Sequence, residues 1–236
     1  MTLDRRRFLT ISAASITGSI LAACDKNPDS AQPLLRLAER GNERIEAGLF
    51  RHTAMNRVGA GAPIAGRDFP KYFVSPRMPV WDPATNGVWR LEVSGAVRRP
   101  LSLTLDDLMK LPRVTQKVDH FCVEGWNARA TWSGVRVSDI ACAAQITGDA
   151  HYVDFAGFDK GYHESWDMES ATHPQTLVAY GMDGYLLTPG HGAPARVHSP
   201  VKLGYKNTKY LTRVVFMPAG NGGFWSDQGY EWYGGT

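Results

Sequence analysis

The sequence predicts an α+β domain built on a mixed sheet, and three observations carry that expectation. Runs with strand-like alternation and short runs with helical spacing follow one another without a regular strand–helix–strand repeat. The strand-like runs are short and broken by Gly and Pro, as strands joined by turns require. The 236 residues suffice for one sizeable core with a small extension, and no internal repeat is visible.

The elements follow in chain order. Residues 34–49 have helical spacing within a polar stretch, 25–79, rich in Pro, Gly and Ala. Residues 89–97 alternate, with Leu91 and Val93 on one side and Arg90 and Glu92 on the other, a half-buried strand. Thr104 is placed to cap a short helix whose first turn carries Asp106 and Asp107 and which Pro112 ends. Residues 114–123 read as a strand that delivers Cys122 near its end. Ile140, Ala141, Ala144 and Ile146 have the spacing of a short amphipathic helix, in which Cys142 is expected to be plain core. Runs beginning at Tyr152, Leu177, Tyr185, Ala195 and Leu211 give five more strands.

Composition excludes several classes. An apolar content of 43% argues against intrinsic disorder, and a formal charge of +3, evenly spread, offers no basic face for nucleic acid. The N-terminus carries an export signal. Arg5 and Arg6 precede 16 uncharged residues (8–23) that open with Phe8 and Leu9, fewer than the roughly 20 that span a bilayer. The twin arginines resemble a Tat signal, whose pathway carries folded proteins. Leu21-Ala-Ala-Cys24 looks like a lipobox, in which Cys24 becomes the lipid-anchored first residue of the mature chain. The organisation expected is a signal peptide at 1–23, a linker and arm at 24–70, and the main folded domain at 71–236. Loss of residues 1–23 removes three Arg and one Asp, taking the charge from +3 to +1, so acyl chains rather than electrostatics would hold the protein to a membrane.

Folded export points to a cofactor loaded in the cytoplasm. If Cys24 is acylated, Cys122 and Cys142 remain in an oxidising compartment, where they either pair as a disulfide or leave Cys122 free as a soft ligand to a redox metal. Downstream, Arg196, Lys202, Lys206 and Lys209 lie within fourteen residues, among glycines that allow backbone N–H groups to approach a ligand. They form either an anion cradle or, as charge counting alone favours, a solvated surface. His120 reads as a satisfied structural histidine. Trp126, Trp132, Trp166, Trp225 and Trp232 read as packing residues, one or two of them at a pocket mouth.

Taken as an ordered set, several motifs resemble the catalytic domain of the sulfite oxidase-type molybdopterin oxidoreductases, a family that includes the periplasmic catalytic subunit of protein-methionine-sulfoxide reductase. The carriers are Leu91-Glu-Val-Ser-Gly95, Pro100-Leu-Ser-Leu-Thr-Leu-Asp-Asp107, Cys122-Val-Glu-Gly-Trp126, Trp132-Ser-Gly-Val135, Leu177-Val-Ala-Tyr-Gly-Met-Asp-Gly184, His191-Gly-Ala-Pro-Ala-Arg196, Gly204-Tyr-Lys-Asn-Thr-Lys209 and the closing Gly223-Phe-Trp-Ser-Asp-Gln-Gly-Tyr230. The resemblance runs from about Tyr72 to Tyr233. It implies a molybdenum held by a pyranopterin dithiolene and by the Cys122 thiolate. It also implies cofactor contacts from His191, Arg196, Gly204, Tyr205, Lys206 and Lys209, with Arg77 a further contact. Asp159, Gly161 and Tyr162 resemble a stretch that the family places near substrate.

The sequence also departs from the family. Animal and plant sulfite oxidases carry an arginine for their anionic substrate shortly after the metal cysteine, where this chain reads Val123-Glu124-Gly125-Trp126. A C-terminal immunoglobulin-like domain is not expected, since six residues follow Tyr230, and a monomer is expected. No Cys-x-x-Cys-His haem motif is present, so electrons are expected through a membrane-bound or cytochrome-type partner. The favoured activity is oxygen-atom transfer on a small sulfur-type substrate, sulfoxide reduction first. Oxidation of sulfite or another oxyanion to cytochrome c is the alternative within the class. A cofactor-free periplasmic binding or scaffold lipoprotein is the alternative outside it.

Overall fold

The computed structural model describes residues 28–49, 62–65 and 69–236. The expected export signal, Cys24 and part of the expected linker and arm lie outside the described residues. Residues 1–49 and 50–236 form separate compact units. In the first, α1 (Pro28–Leu49) ends where helical spacing predicts and starts six residues earlier, with Leu37, Ile45 and Leu49 exposed. Among the described residues no helix is long and apolar enough to cross a membrane.

The second unit runs β1 (Ile64–Ala65), α2 (Pro83–Asn86), β2 (Arg90–Gly95), β3 (Leu101–Thr104), α3 (Leu105–Lys110), β4 (Arg113–Phe121), β5 (Asn127–Arg136), α4 (Val137–Ala144), β6 (Tyr152–Gly157), β7 (His163–Asp167), α5 (Met168–Ala171), β8 (Leu177–Met182), β9 (Tyr185–Leu186), β10 (Arg196–His198) and β11 (Leu211–Met217). Two mixed sheets result. One has the order β3-β2-β11-β6-β7, with β2 and β11 parallel. The other runs β1-β5-β8-β10, with β4 added to β5 and β9 to β8, and β1 parallel to β5. The α+β expectation is met.

Side-chain alternation decides what each sheet covers. On β2, Leu91 and Val93 are buried while Arg90 and Glu92 face solvent, as the sequence pattern required. On β8 every residue is buried. Val178 and Tyr180 join the main core with Phe155, Trp166 and Val214, whereas Leu177 and Ala179 face the other way into a second cluster with Phe69, Ala130 and Trp132. A strand buried on both faces reads as an unbroken apolar run, which is how this one appears in sequence. That second cluster reaches the site through Phe69 and through Trp126, which packs against it.

Four strands were not legible, among them the two-residue β1, too short to leave a pattern. β5, the longest, buries Ala128, Ala130 and Trp132 with Arg129 and Thr131 between them; alanine has low strand preference, and the alternation is easily passed over. β7 buries Glu164 and Ser165 beside Trp166, polar residues that no hydrophobic pattern would place inside. β3 is four residues long and pairs with β2. One core expectation is corrected. Cys142 is exposed, because α4 turns Val137, Ile140, Ala141 and Ala144 inward and position 142 falls on the opposite side.

Candidate active site

Strand β4 ends at Phe121, and a tight turn to β5 presents Cys122. Its amide donates to the Trp126 carbonyl at 2.9 Å, and Gly125, at φ +88°, donates back to the Cys122 carbonyl at 3.0 Å. The left-handed conformation at position 125 is one that glycine adopts without a Cβ clash. Cys122 is half-buried and, like Cys142, carries a free thiol, so the two are not bridged. Glu124 Oε2 lies 3.8 Å from Cys122 Sγ and accepts from Trp126 Nε1 at 2.8 Å. Burial, with the Glu124 carboxylate nearby, pushes the Cys122 thiol up.

The turn opens onto a cavity of about 330 Å³. Five of the eight residues expected at the site line it: Cys122, Arg196, Gly204, Tyr205 and Lys209. Gly204 is there because a Cβ would come 2.7 Å from His120 Nε2. His191 stands beside the cavity, its ring edge-on to Phe69 at 5.5 Å; Lys206 lies behind the lining, and Arg77 is exposed outside it. Asp159 and Tyr162 line it, as do Trp126 and Trp225. Sequence reasoning missed Phe69, Phe73, Asn207 and Tyr210, which the fold alone brings in.

The cations are not a solvated patch. Arg196 is 1% exposed, Lys202 1% and Lys206 0%, which removes the surface reading that charge counting favoured. Lys202 pairs with Asp167 at 3.0 Å, and Lys206 with Glu164 at 2.6 Å. Arg196 differs. Among the described residues its guanidinium meets backbone carbonyls alone, of Val197 (3.3 Å), His191 (3.3 Å) and Asn207 (3.1 Å), and it lies 5.1 Å from the Trp132 ring centre. Lys209 Nζ likewise donates to the carbonyls of Tyr72 and Gly190. Burial lowers Arg196 to about 10 and Lys209 to about 7. Burial and these two cations hold His120 well below its usual range and His191 at about 4.

Around Arg196 sit buried polar atoms with no hydrogen-bond partner among the described residues: both ring nitrogens of His198, Nδ1 of His120 and of His191, Trp132 Nε1 and the Tyr210 hydroxyl. His120 is thus not the satisfied histidine its sequence context suggested. Buried polar atoms without partners, and a buried arginine with no ion pair among the described residues, are costly unless something anionic and hydrogen-bonding completes them.

A family model described as oxidoreductase molybdopterin binding domain matches residues 77–225. The chain belongs to this family. It is a molybdopterin-dependent oxidoreductase of the sulfite oxidase type, as the motifs implied, and an enzyme rather than a cofactor-free scaffold. A putative protein-methionine-sulfoxide reductase subunit YedZ1 of Azospira oryzae is 37% identical over 235 residues, covering 98% of this chain and 88% of that protein. The protein-methionine-sulfoxide reductase catalytic subunit MsrP of Ralstonia nicotianae is 31% identical over 144 residues, 55% of this chain and 44% of that one. The chain therefore matches less than half the length of that catalytic subunit. The sulfane dehydrogenase SoxCD of Paracoccus pantotrophus superposes with a TM-score of 0.53 at 23% identity, over 56% of this chain and 39% of that chain, a likeness of fold.

The cavity fits the family's cofactor. A pyranopterin phosphate would bring an anion to Arg196 and Lys209, whose acceptors among the described residues are neutral carbonyls, and partners to the unpaired polar atoms around them, while Cys122 is a soft donor for a redox metal.

Proposed function

We propose that this protein is an exported molybdenum enzyme that reduces sulfoxides, with methionine sulfoxide in an exposed polypeptide segment as substrate. Cys122 holds the metal; Arg196, Lys209, Gly204 and Tyr205 hold the pterin and its phosphate, with His191 and the Lys206 turn supporting them and Arg77 an outer contact. When bound, the molybdenum centre supplies the two-electron exchange that takes the oxygen atom from sulfur.

The observation that carries the reading is the charge around the sulfur of Cys122. The charged neighbour acting on it is the Glu124 carboxylate, whereas Arg196 and Lys209 act on His120 and His191. A doubly negative sulfite meets repulsion there and a neutral sulfoxide does not. The surrounding mouth is apolar and open, with Tyr72 58%, Val123 51%, Tyr230 41% and Phe73 38% exposed. A patch of that kind suits a thioether-like side chain on a longer chain. Cys122 must lose its proton to become a ligand, and Glu124 Oε2 is placed to take it.

Electrons come from a membrane-bound or cytochrome-type partner, a role in keeping with the relative named as a subunit. The twin arginines and Cys24 support Tat export and a lipid anchor in the periplasm. The test is turnover by purified, molybdenum-loaded enzyme. Reduced viologen should drive reduction of oxidised methionine peptides, while sulfite should not reduce cytochrome c. The reverse pattern would overturn the assignment.

A further inference from the structure

Lys206 was expected against the cofactor, yet its side chain is fully buried and its Nζ is 2.6 Å from Glu164 Oε2. The flanking Gly204, Tyr205 and Asn207 line the cavity. Glu164 stands on β7 and does more than neutralise the lysine. Its Oε1 accepts the Trp225 amide at 3.0 Å, and its Oε2 accepts the Ser226 hydroxyl at 3.4 Å. Residue 164 also forms an isolated bridge with Gly223. Trp225 and Tyr230, 5.0 Å apart between ring centres, line the cavity from the other side. One carboxylate therefore ties together the turn beneath the cofactor site and the tail beside the mouth.

We infer that Glu164 and Lys206 are a positioning pair: the Lys206 ammonium acts through Glu164, holding Trp225 and the 204–206 turn in register, and does not itself bind the cofactor. The inference rests on reading this cavity as the cofactor and substrate site. It assigns the lysine's charge to a protein partner, leaving Arg196 and Lys209 as cavity-lining cations with no ion pair among the described residues. Removing one member of a buried pair leaves the other uncompensated, whereas replacing both by neutral groups of similar size is tolerated far better.

The experiment compares holoenzyme with Glu164→Gln, Lys206→Met and the double variant, reading molybdenum per chain, amide exchange of the 223–228 segment, thermal midpoint, and KM against kcat for an oxidised methionine peptide. Both single variants should keep their molybdenum, exchange the Trp225 segment about tenfold faster or more, and raise KM by more than they lower kcat. The double variant should melt above either single one and keep its metal, so a single variant that fails to fold does not end the test. Loss of molybdenum in Lys206→Met with retention in Glu164→Gln would overturn the inference, as would metal loss in the double variant or unchanged exchange in all three. If no sulfoxide is turned over even by the parent enzyme, the activity assignment fails, while metal content, exchange and melting still decide this one.

Discussion

At the residue scale the site separates two demands that a sequence shows only as residue types. Cys122 is the soft donor, so Cys122→Ser should leave the fold intact and lower both molybdenum content and activity, the latter by about a thousandfold or more, checked by metal analysis and turnover. Arg196 is a buried cation without a carboxylate among the described residues. Arg196→Met should therefore raise the thermal midpoint of the cofactor-free protein yet lower the molybdenum retained by purified enzyme. Full metal occupancy in that variant would remove Arg196 from the cofactor's contacts. Glu124→Gln should relax the exclusion of anions, raising kcat/KM for sulfite about tenfold over the parent in a ferricyanide-coupled assay. The residues of this set that sequence reading found sit in short motifs with unusual composition. Phe69, Tyr210 and Glu164 were not found, because an aromatic or a carboxylate in a strand carries no mark of which cavity it will face.

Elements were legible where burial is one-sided. Helix α3 shows this at its start: Thr104 Oγ1 accepts the Asp107 amide at 3.1 Å, and the Asp107 carboxylate accepts the Thr104 amide at 3.2 Å, the reciprocal pair foreshadowed by the sequence Thr-Leu-Asp-Asp. The Thr104 hydroxyl, the Lys110 ammonium and the Thr104 amide all donate to the Asp107 carboxylate and draw it down to about 2. Thr104→Ala should cost about 1 kcal/mol in denaturant unfolding and leave catalysis unchanged, since α3 contributes nothing to the cavity lining. Strand β7 is the counter-example. Its inward Glu164 is acceptable only because Lys206 lies 42 positions away in sequence, and no local pattern can announce a partner at that distance.

For the molecule as a whole, the buried cationic groups set the response to pH. Lys209 sits at about 7 against an ordinary 10.5, His191 at about 4 against 6.5, and His120 and His198 also well below 6.5. In each case the unfolded chain binds more protons than the folded one between the two values, so stability rises with pH across that interval. The cofactor-free domain should thus lose thermal midpoint as pH falls from about 10 towards 7, and again from 6.5 towards 4. An anion placed beside Lys209 favours its charged form, so cofactor loading near pH 8 should take up protons and flatten the first of these slopes. Scanning fluorimetry of both forms across pH checks the sign. A cofactor-free protein that grows more stable on acidification would contradict it.

The segment from Phe69 to Val74 forms part of the cavity wall and is fastened on both sides. The Val74 and Ser75 amides donate to Asp159 at 3.0 and 3.2 Å, and the Tyr72 carbonyl accepts from Lys209. A guest in the cavity would lie against that strap, so the ties at Asp159 and Lys209 also fix one boundary of its berth. Keeping the guest and keeping the strap in place then become one property, so whatever unties Asp159 should also let the guest go.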